Sequence, residues 1–154
     1  MRGLIQRVSR ASVSVDKKRV GEIGAGLLLF VGIARDDKIS QADALLDKVL
    51  AYRIFSETGE DGKTRMNRSL SDTHGDLLIV SQFTLVADTQ KGLRPGFSSA
   101  ASPLAAEELF GYLLEQARVR HGDGNGGKVS SGIFGADMQV ELVNDGPVTF
   151  LLEN

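Results

Sequence analysis

The chain has 154 residues, a length typical of one domain with a substantial core. It contains no cysteine, which excludes disulfides, thiolate metal sites and a cysteine nucleophile, and its formal net charge of −2 argues against a general nucleic-acid binder. No apolar run is long enough to cross a bilayer. We therefore expect a single domain over residues 1–154, without membrane association and, given the missing cysteines, in a reducing cytoplasm.

The N-terminal part of the chain predicts three strands. Residues 13–15 alternate apolar and polar side chains, the charged run 16–19 predicts a turn, and residues 20–23 resume a strand. A glycine-bearing turn over 24–26 then precedes the apolar run 27–33. This run indicates a strand buried on both faces.

Two helices are indicated further along. Ser40 is the expected N-cap of a first helix that ends near Tyr52 and has an apolar stripe. The polar stretch 56–76 predicts a hairpin or a long loop. Ser102 and Pro103 predict the N-cap and first position of a second helix. Its acids, Glu107 and Glu108, are expected early and its basic residues, Arg118 and Arg120, late, as the helix dipole favours.

The remaining segments complete an α+β pattern. The run 77–80 predicts a buried strand, 122–127 a flexible connection, and 138–143 and 148–152 two closing strands. Runs of strands interrupted by two helices favour an α+β domain with a mainly antiparallel sheet.

Two short motifs carry the strongest functional signal. Residues 81–85, Ser-Gln-Phe-Thr-Leu, place polar groups where the buried strand 77–80 ends. Residues 144–149, Asn-Asp-Gly-Pro-Val-Thr, join the two closing strands. The Gly146-Pro147 step combines a conformationally permissive residue with one that has no N–H, which leaves main-chain carbonyls free to face a ligand.

Together with 5–13, 91–97 and 134–138, these motifs resemble the D-aminoacyl-tRNA deacylases (D-tyrosyl-tRNA deacylases) in order and spacing. Enzymes of this family remove wrongly attached D-amino acids from tRNA. The resemblance implies a homodimer whose antiparallel sheets form a roll or barrel with two principal helices, and which needs no cofactor. It also implies a cis bond between Gly146 and Pro147, in a loop that reaches the partner's active site and rejects L-aminoacyl esters.

The resemblance assigns the catalytic end of the pocket to Ser81, Gln82, Phe83 and Thr84. The ester of an aminoacyl-tRNA is already activated by its ammonium group and vicinal hydroxyl, so orientation and oxyanion donors could suffice. We expect the main-chain N–H groups around Gln82, Phe83 and Thr84 to be those donors. The alternative is a Thr84 nucleophile, but no acid or histidine is tied to it by a motif.

The substrate-binding residues follow from the resemblance as well. Phe134, Ala136 and Met138 are expected to line the pocket for the terminal adenosine and the aminoacyl group, although alternating apolar residues are also typical of a core. Arg7 is expected beside the Gly146-Pro147 loop, although it could simply pair with a surface acid.

Other polar features have weaker implications. Residues 1–20 hold six basic residues against one acid, which suits either a solvated hairpin or contact with acceptor-stem phosphates. The two histidines, His74 and His121, fall in polar stretches without metal-ligand spacing, so we predict no metal site. The 122–127 run lacks the lysine and hydroxyl ending of a phosphate-binding loop.

The function predicted from the sequence is therefore hydrolysis of D-aminoacyl-tRNA, and of mischarged glycyl-tRNA, to free amino acid and tRNA. Two alternatives remain at this stage: a non-catalytic tRNA-binding module of the same fold, and an editing deacylase for another mischarged tRNA.

Overall fold

A computed structural model describes residues 1–90, 92–122 and 124–153. Lys91, within the 91–97 motif, and Asp123, within the glycine-rich run, lie outside the described residues. The strands are β1 Arg2–Val15, β2 Lys18–Ile23, β3 Gly26–Gly32, β4 Phe55–Thr58, β5 Thr64–Arg68, β6 Asp76–Ser81, β7 Val129–Ser131 and β8 Gln139–Glu153. The helices are α1 Ile39–Ala51, α2 Leu70–Thr73 and α3 Pro103–His121, and Phe83–Val86 forms a single 3-10 turn.

The main sheet is organised around β1. Its first half pairs with β3 and its second half with β2, while β8 pairs along its other side; all three pairings are antiparallel. From β3 the sheet continues to β6 and then to β7. The edge strand β7 lies close to β2, because a Cβ on Gly21 of β2 would be 2.7 Å from the carbonyl oxygen of Ser131 in β7. The sheet thus nearly closes into a barrel, which confirms the α+β prediction.

The pairings are mainly antiparallel, as predicted, and two of them are parallel. β3 pairs with β6, and β6 with β7, in parallel. A parallel pair needs a long crossover, and the connections containing α1 and α3 supply it. The segment 56–76 forms the predicted hairpin, β4 with β5, followed by the short helix α2.

The N-cap prediction for α1 is wrong by two residues. The helix begins at Ile39 with Lys38 as its N-cap. The Gln41 side-chain oxygen accepts from the Lys38 backbone N–H and from the Ser40 hydroxyl, both at 3.0 Å, so the serine serves Gln41 rather than the helix end. The apolar stripe is confirmed, because these side chains are buried: Ala42, Leu45, Leu46, Val49 and Leu50.

Helix α3 begins as predicted, with Ser102 as N-cap and Pro103 inside the first turn. Glu107 and Glu108 lie early in the helix as predicted, in its second turn, and the basic last turn is confirmed. His121 closes the helix as a buried residue instead of lying in a polar loop, and its Nε2 lies 2.6 Å from the Gly75 carbonyl oxygen. None of the helices in the described residues is long and apolar enough to span a membrane.

The two predicted closing strands are one continuous strand, β8. Residues 145–147 sit in it as an irregularity, because the register with β1 shifts between Gln6 and Val8 and again between Val8 and Arg10. The Gly146-Pro147 step therefore bulges from a strand opposite Arg7, which lies within the first of these shifts.

Candidate active site

A cavity of about 510 Å³ opens at the ends of β3 and β6. The start of α3 and the loop between β7 and β8 form its other walls. The residues that line it are Val31, Ile33, Val80, Ser81, Gln82, Phe83, Ala100, Ala101, Pro103, Ala106, Phe134, Gly135, Ala136, Asp137, Met138 and Val140. A mostly apolar wall with a few polar groups is typical of a small-molecule site.

One end of the cavity is the turn that follows β6. The Gln82 N–H donates to the Val31 carbonyl at 2.7 Å, so this turn stays attached to β3. The close approach requires glycine at position 32, where a Cβ would lie 2.8 Å from the Leu85 Cβ and 3.1 Å from the Gln82 carbonyl oxygen. Because its N–H is already bonded, Gln82 cannot supply the main-chain oxyanion donor that the sequence analysis assigned to it.

The next two N–H groups are differently placed. Phe83 and Thr84 start the 3-10 turn, and neither N–H donates a hydrogen bond to another described residue. Phe83 lines the cavity. These two main-chain donors remain available to a ligand oxygen.

The Thr84 hydroxyl has a partner unsuited to activating it. It accepts from the Gln82 side-chain amide at 2.6 Å, and no acid or histidine contacts it within the described residues. Thr84 is exposed and does not line the cavity. A hydroxyl nucleophile needs a base, so this geometry favours the positioning mechanism over the nucleophile.

The loop between β7 and β8 holds the three predicted pocket residues. Phe134, Ala136 and Met138 all line the cavity. Phe134 also packs against Phe110 of α3, with ring centroids 5.8 Å apart. Asp137, between Ala136 and Met138 in the sequence, also lines the cavity. The sequence analysis did not select it, because a single carboxylate has no local sequence signal.

The Gly146-Pro147 loop stands apart from this cavity. Its peptide bond is cis, as the resemblance implied. Both residues are exposed, and neither lines the cavity of their own chain. Asn144 holds the loop by accepting from the Val148 N–H through Oδ1 and donating to the Thr149 hydroxyl through Nδ2, each at 2.9 Å. The first and last residues of the motif thus act as positioning residues.

Arg7 contacts the loop that leads into Gly146. Its Nε donates to the Asp145 carbonyl at 3.0 Å, and its Nη1 donates to the Ile54 carbonyl at 2.7 Å. Arg7 also forms an ion pair with the Asp145 carboxylate, with N and O 3.3 Å apart. It lies beside the loop as predicted and does not line the cavity.

The described part of the 91–97 motif extends the rim near Phe83. Asp88 and Gly96 exchange two main-chain hydrogen bonds of 2.8 Å, which close the loop between them. This places the Phe97 ring centroid 5.0 Å from that of Phe83. The motif therefore supports the aromatic residue at the cavity mouth.

Comparison with known proteins gives matches over nearly the whole chain. A family model described as D-Tyr-tRNA(Tyr) deacylase matches residues 4–153. A D-aminoacyl-tRNA deacylase of Cellvibrio japonicus (strain Ueda107) is 58% identical over 153 residues and covers 99% of each chain. The D-aminoacyl-tRNA deacylase of Stutzerimonas stutzeri (strain A1501) is 57% identical over 154 residues, with 100% of both chains covered.

Solved structures share the same fold. A protein described as c-Myc DNA Unwinding Element Binding Protein superposes with a TM-score of 0.90 at 36% identity, over 100% of this chain and 99% of that chain. A probable eukaryotic D-amino acid tRNA deacylase gives a TM-score of 0.82 at 20% identity, over 98% and 97%. The nearly closed barrel is therefore the fold of these proteins.

Proposed function

The chain belongs to the D-Tyr-tRNA(Tyr) deacylase family, and from this premise we propose that it hydrolyses the ester of D-aminoacyl-tRNA. The products are the free D-amino acid and tRNA, so the enzyme is a hydrolase acting on ester bonds. The observation that carries the proposal is the cavity at the end of β6, lined by Ser81, Gln82 and Phe83, in a chain that the family model matches over residues 4–153.

The chemistry needs only a few groups from the protein. Water attacks the aminoacyl carbonyl carbon, and the ribose oxygen leaves as a hydroxyl once it receives a proton. The N–H groups of Phe83 and Thr84 stabilise the negative charge that develops on the carbonyl oxygen. The apolar wall around Phe134 and Met138 orients the terminal adenosine and aminoacyl group, and the vicinal ribose hydroxyl assists the proton transfer.

Chirality is proofread by the Gly146-Pro147 loop of a second subunit. The loop is exposed and lies outside the cavity of its own chain, as a segment that enters a partner's site must be. Its carbonyls face the α-hydrogen of a D-aminoacyl ester, and an L side chain would collide with them. Homodimerisation is then required for stereospecificity.

Selection by exclusion has two consequences for the substrate range. Many D-amino acids are accepted, because the loop does not need to bind their side chains. Glycine has hydrogens at both positions, so exclusion cannot act on it and glycyl-tRNA is hydrolysed too. The natural partner is aminoacyl-tRNA in the cytoplasm, bound through its 3′-terminal adenosine and acceptor stem.

The direct test is the release of D-tyrosine from D-tyrosyl-tRNA by purified protein, measured against spontaneous hydrolysis in buffer. We expect catalytic turnover. Tight binding of D-tyrosyl-tRNA without turnover would instead identify a non-catalytic binding module. Turnover of a mischarged L-aminoacyl-tRNA alone would identify an editing enzyme of different specificity.

A further inference from the structure

Two exposed phenylalanines lie side by side at the mouth of the cavity. Phe83 lines the cavity, whereas Phe97 does not, and their ring centroids are 5.0 Å apart. Solvent reaches 61% of Phe83 and 40% of Phe97, although the two rings contact each other. We call this pair the aromatic platform. Exposed apolar side chains that cluster beside a cavity are typical of a binding surface.

The guanidinium of Arg35 lies next to the platform. Its Nη2 donates to the carbonyl of Ser98, which directly follows Phe97 in the chain. The main-chain N–H of Arg35 also donates to the Ser99 carbonyl at 2.9 Å, so the two segments are held together. Arg35 is exposed, and it forms no ion pair with a carboxylate of the described residues. Its remaining donors and its charge are therefore available to a ligand.

An aromatic ring beside an arginine is suited to single-stranded RNA. Every base has a flat face that stacks on an aromatic ring, and a guanidinium binds the oxygens of a phosphate. The formal net charge of the chain is −2, so attraction of RNA must come from local cations such as Arg35. An RNA strand that leads to a terminal adenosine in the cavity must cross the cavity mouth, where the platform lies.

Resting on the proposed function, we propose that Phe97 and Arg35 bind the single-stranded nucleotides that precede the terminal adenosine of tRNA. The base next to the adenosine stacks on the Phe97 ring, and Arg35 binds a phosphate of the same strand. Neither residue lines the cavity, so this surface acts on the RNA and not on the aminoacyl group. It favours esters carried by an RNA strand over esters of a free nucleoside.

A protein partner is the other occupant that an exposed aromatic pair accepts. The unpaired charge of Arg35 favours RNA, because every nucleotide of the strand brings a phosphate. A platform covered by protein would make no distinction between a nucleoside ligand and the same ligand extended by RNA. Two ligands that differ only in the preceding nucleotides therefore separate the two occupants.

The test measures the binding of two non-hydrolysable ligands. Both carry D-tyrosine joined by an amide to 3′-amino-3′-deoxyadenosine; in one this nucleoside is free, and in the other it ends a short single-stranded RNA. Their Kd values are measured by calorimetry for the wild-type chain, Phe97→Leu, Arg35→Gln and Arg118→Gln. Arg118 is the matched control, an exposed arginine about 18 Å along α3 from Ala106 in the cavity wall.

We expect Phe97→Leu to weaken the RNA ligand about tenfold, as loss of one base stack implies, and the nucleoside ligand less than about twofold. Arg35→Gln should weaken the RNA ligand about fivefold and make its affinity less dependent on salt, because one phosphate contact is lost. The glutamine amide keeps a donor for the Ser98 carbonyl, and the nucleoside ligand should bind this variant as it binds the wild type. Arg118→Gln should change neither Kd.

Three results would overturn the proposal: an equal loss for both ligands, no loss for the RNA ligand, or a loss in Arg118→Gln equal to that in Arg35→Gln. Hydrolysis of D-tyrosyl-tRNA by the wild-type chain is measured in parallel. Absence of that turnover would contradict the proposed function, whereas turnover without a difference between the two ligands would contradict the RNA-binding surface alone.

Discussion

The Arg7 guanidinium donates from Nε to the Asp145 carbonyl at 3.0 Å, so a side chain of β1 fixes the residue that leads into Gly146. The same guanidinium donates a second hydrogen bond to the Ile54 carbonyl, and only 11% of the Arg7 side chain is exposed. Arg7 thus ties the Gly146-Pro147 loop to the body of its own subunit. A rigid loop is what rejection by steric exclusion requires.

Arg7→Lys is expected to loosen this loop, because an ammonium cannot reproduce the planar fork that reaches two carbonyls. We expect the free energy of unfolding to fall by about 1–3 kcal/mol, and hydrolysis of L-tyrosyl-tRNA to rise relative to the D-ester. Urea denaturation and paired deacylation assays measure the two effects. Arg10→Lys on the same strand, an exposed side chain without a hydrogen bond to a described residue, is the control and should change neither.

Replacing Gly146 and Gly111 by alanine should change the free energy of unfolding in opposite directions. Gly146 has φ of +135°, and a Cβ there would lie 2.7 Å from the Val148 Cγ2 and 3.0 Å from an Arg7 nitrogen. Gly146→Ala should therefore lower the free energy of unfolding by about 1–3 kcal/mol. Gly111 lies within α3, and a Cβ there would have open space around it. Gly111→Ala should therefore raise the free energy of unfolding by about 0.5–1 kcal/mol. A stable, fully stereospecific Gly146→Ala enzyme would contradict the close fit of the loop.

Thr84→Ala separates the positioning mechanism from the nucleophile. If main-chain N–H groups carry the catalysis, the rate should fall less than about a hundredfold, because truncating the side chain leaves them in place. Thr84→Ser keeps the hydroxyl and is the matched control, with a rate close to that of the wild type. Single-turnover kinetics measures both. An inactive alanine variant beside an active serine variant, or an acyl group trapped on Thr84, would support the nucleophile instead.

The assembly prediction follows from the position of the loop. Because Gly146 and Pro147 lie outside the cavity of their own chain, stereospecificity should require a second copy. Light scattering at micromolar concentration should give about twice the chain mass of 16.5 kDa. A monomer that hydrolyses D-esters with full stereospecificity would exclude a loop supplied by the partner.

Features with a strong local signal could be predicted from the sequence. Ser102 and Pro103 mark the start of α3, and the spacing of apolar residues reveals the buried face of α1. What could not be predicted depends on strand pairing. The parallel pairing of β3 with β6 decides that the Gln82 N–H is bonded to Val31, and nothing within 81–85 indicates it.

The candidate site shows the same limit. Clustering of Phe134, Ala136 and Met138 around one cavity is predicted only through the family resemblance, because apolar residues at alternating positions are equally typical of a core. The separation of this cavity from Gly146 within one chain could not be predicted from spacing, since it depends on the register shifts between β8 and β1 near Arg7.

The most direct test compares D-tyrosyl-tRNA, L-tyrosyl-tRNA and glycyl-tRNA as substrates of the wild-type enzyme under identical conditions. Exclusion by the Gly146-Pro147 loop predicts rapid hydrolysis of the D-ester, measurable hydrolysis of the glycyl ester and a rate for the L-ester close to spontaneous hydrolysis. Hydrolysis of the D- and L-esters at equal rates would contradict chirality proofreading. Inertness toward glycyl-tRNA alongside rapid D-tyrosyl turnover would show that side-chain recognition, and not exclusion, sets the specificity.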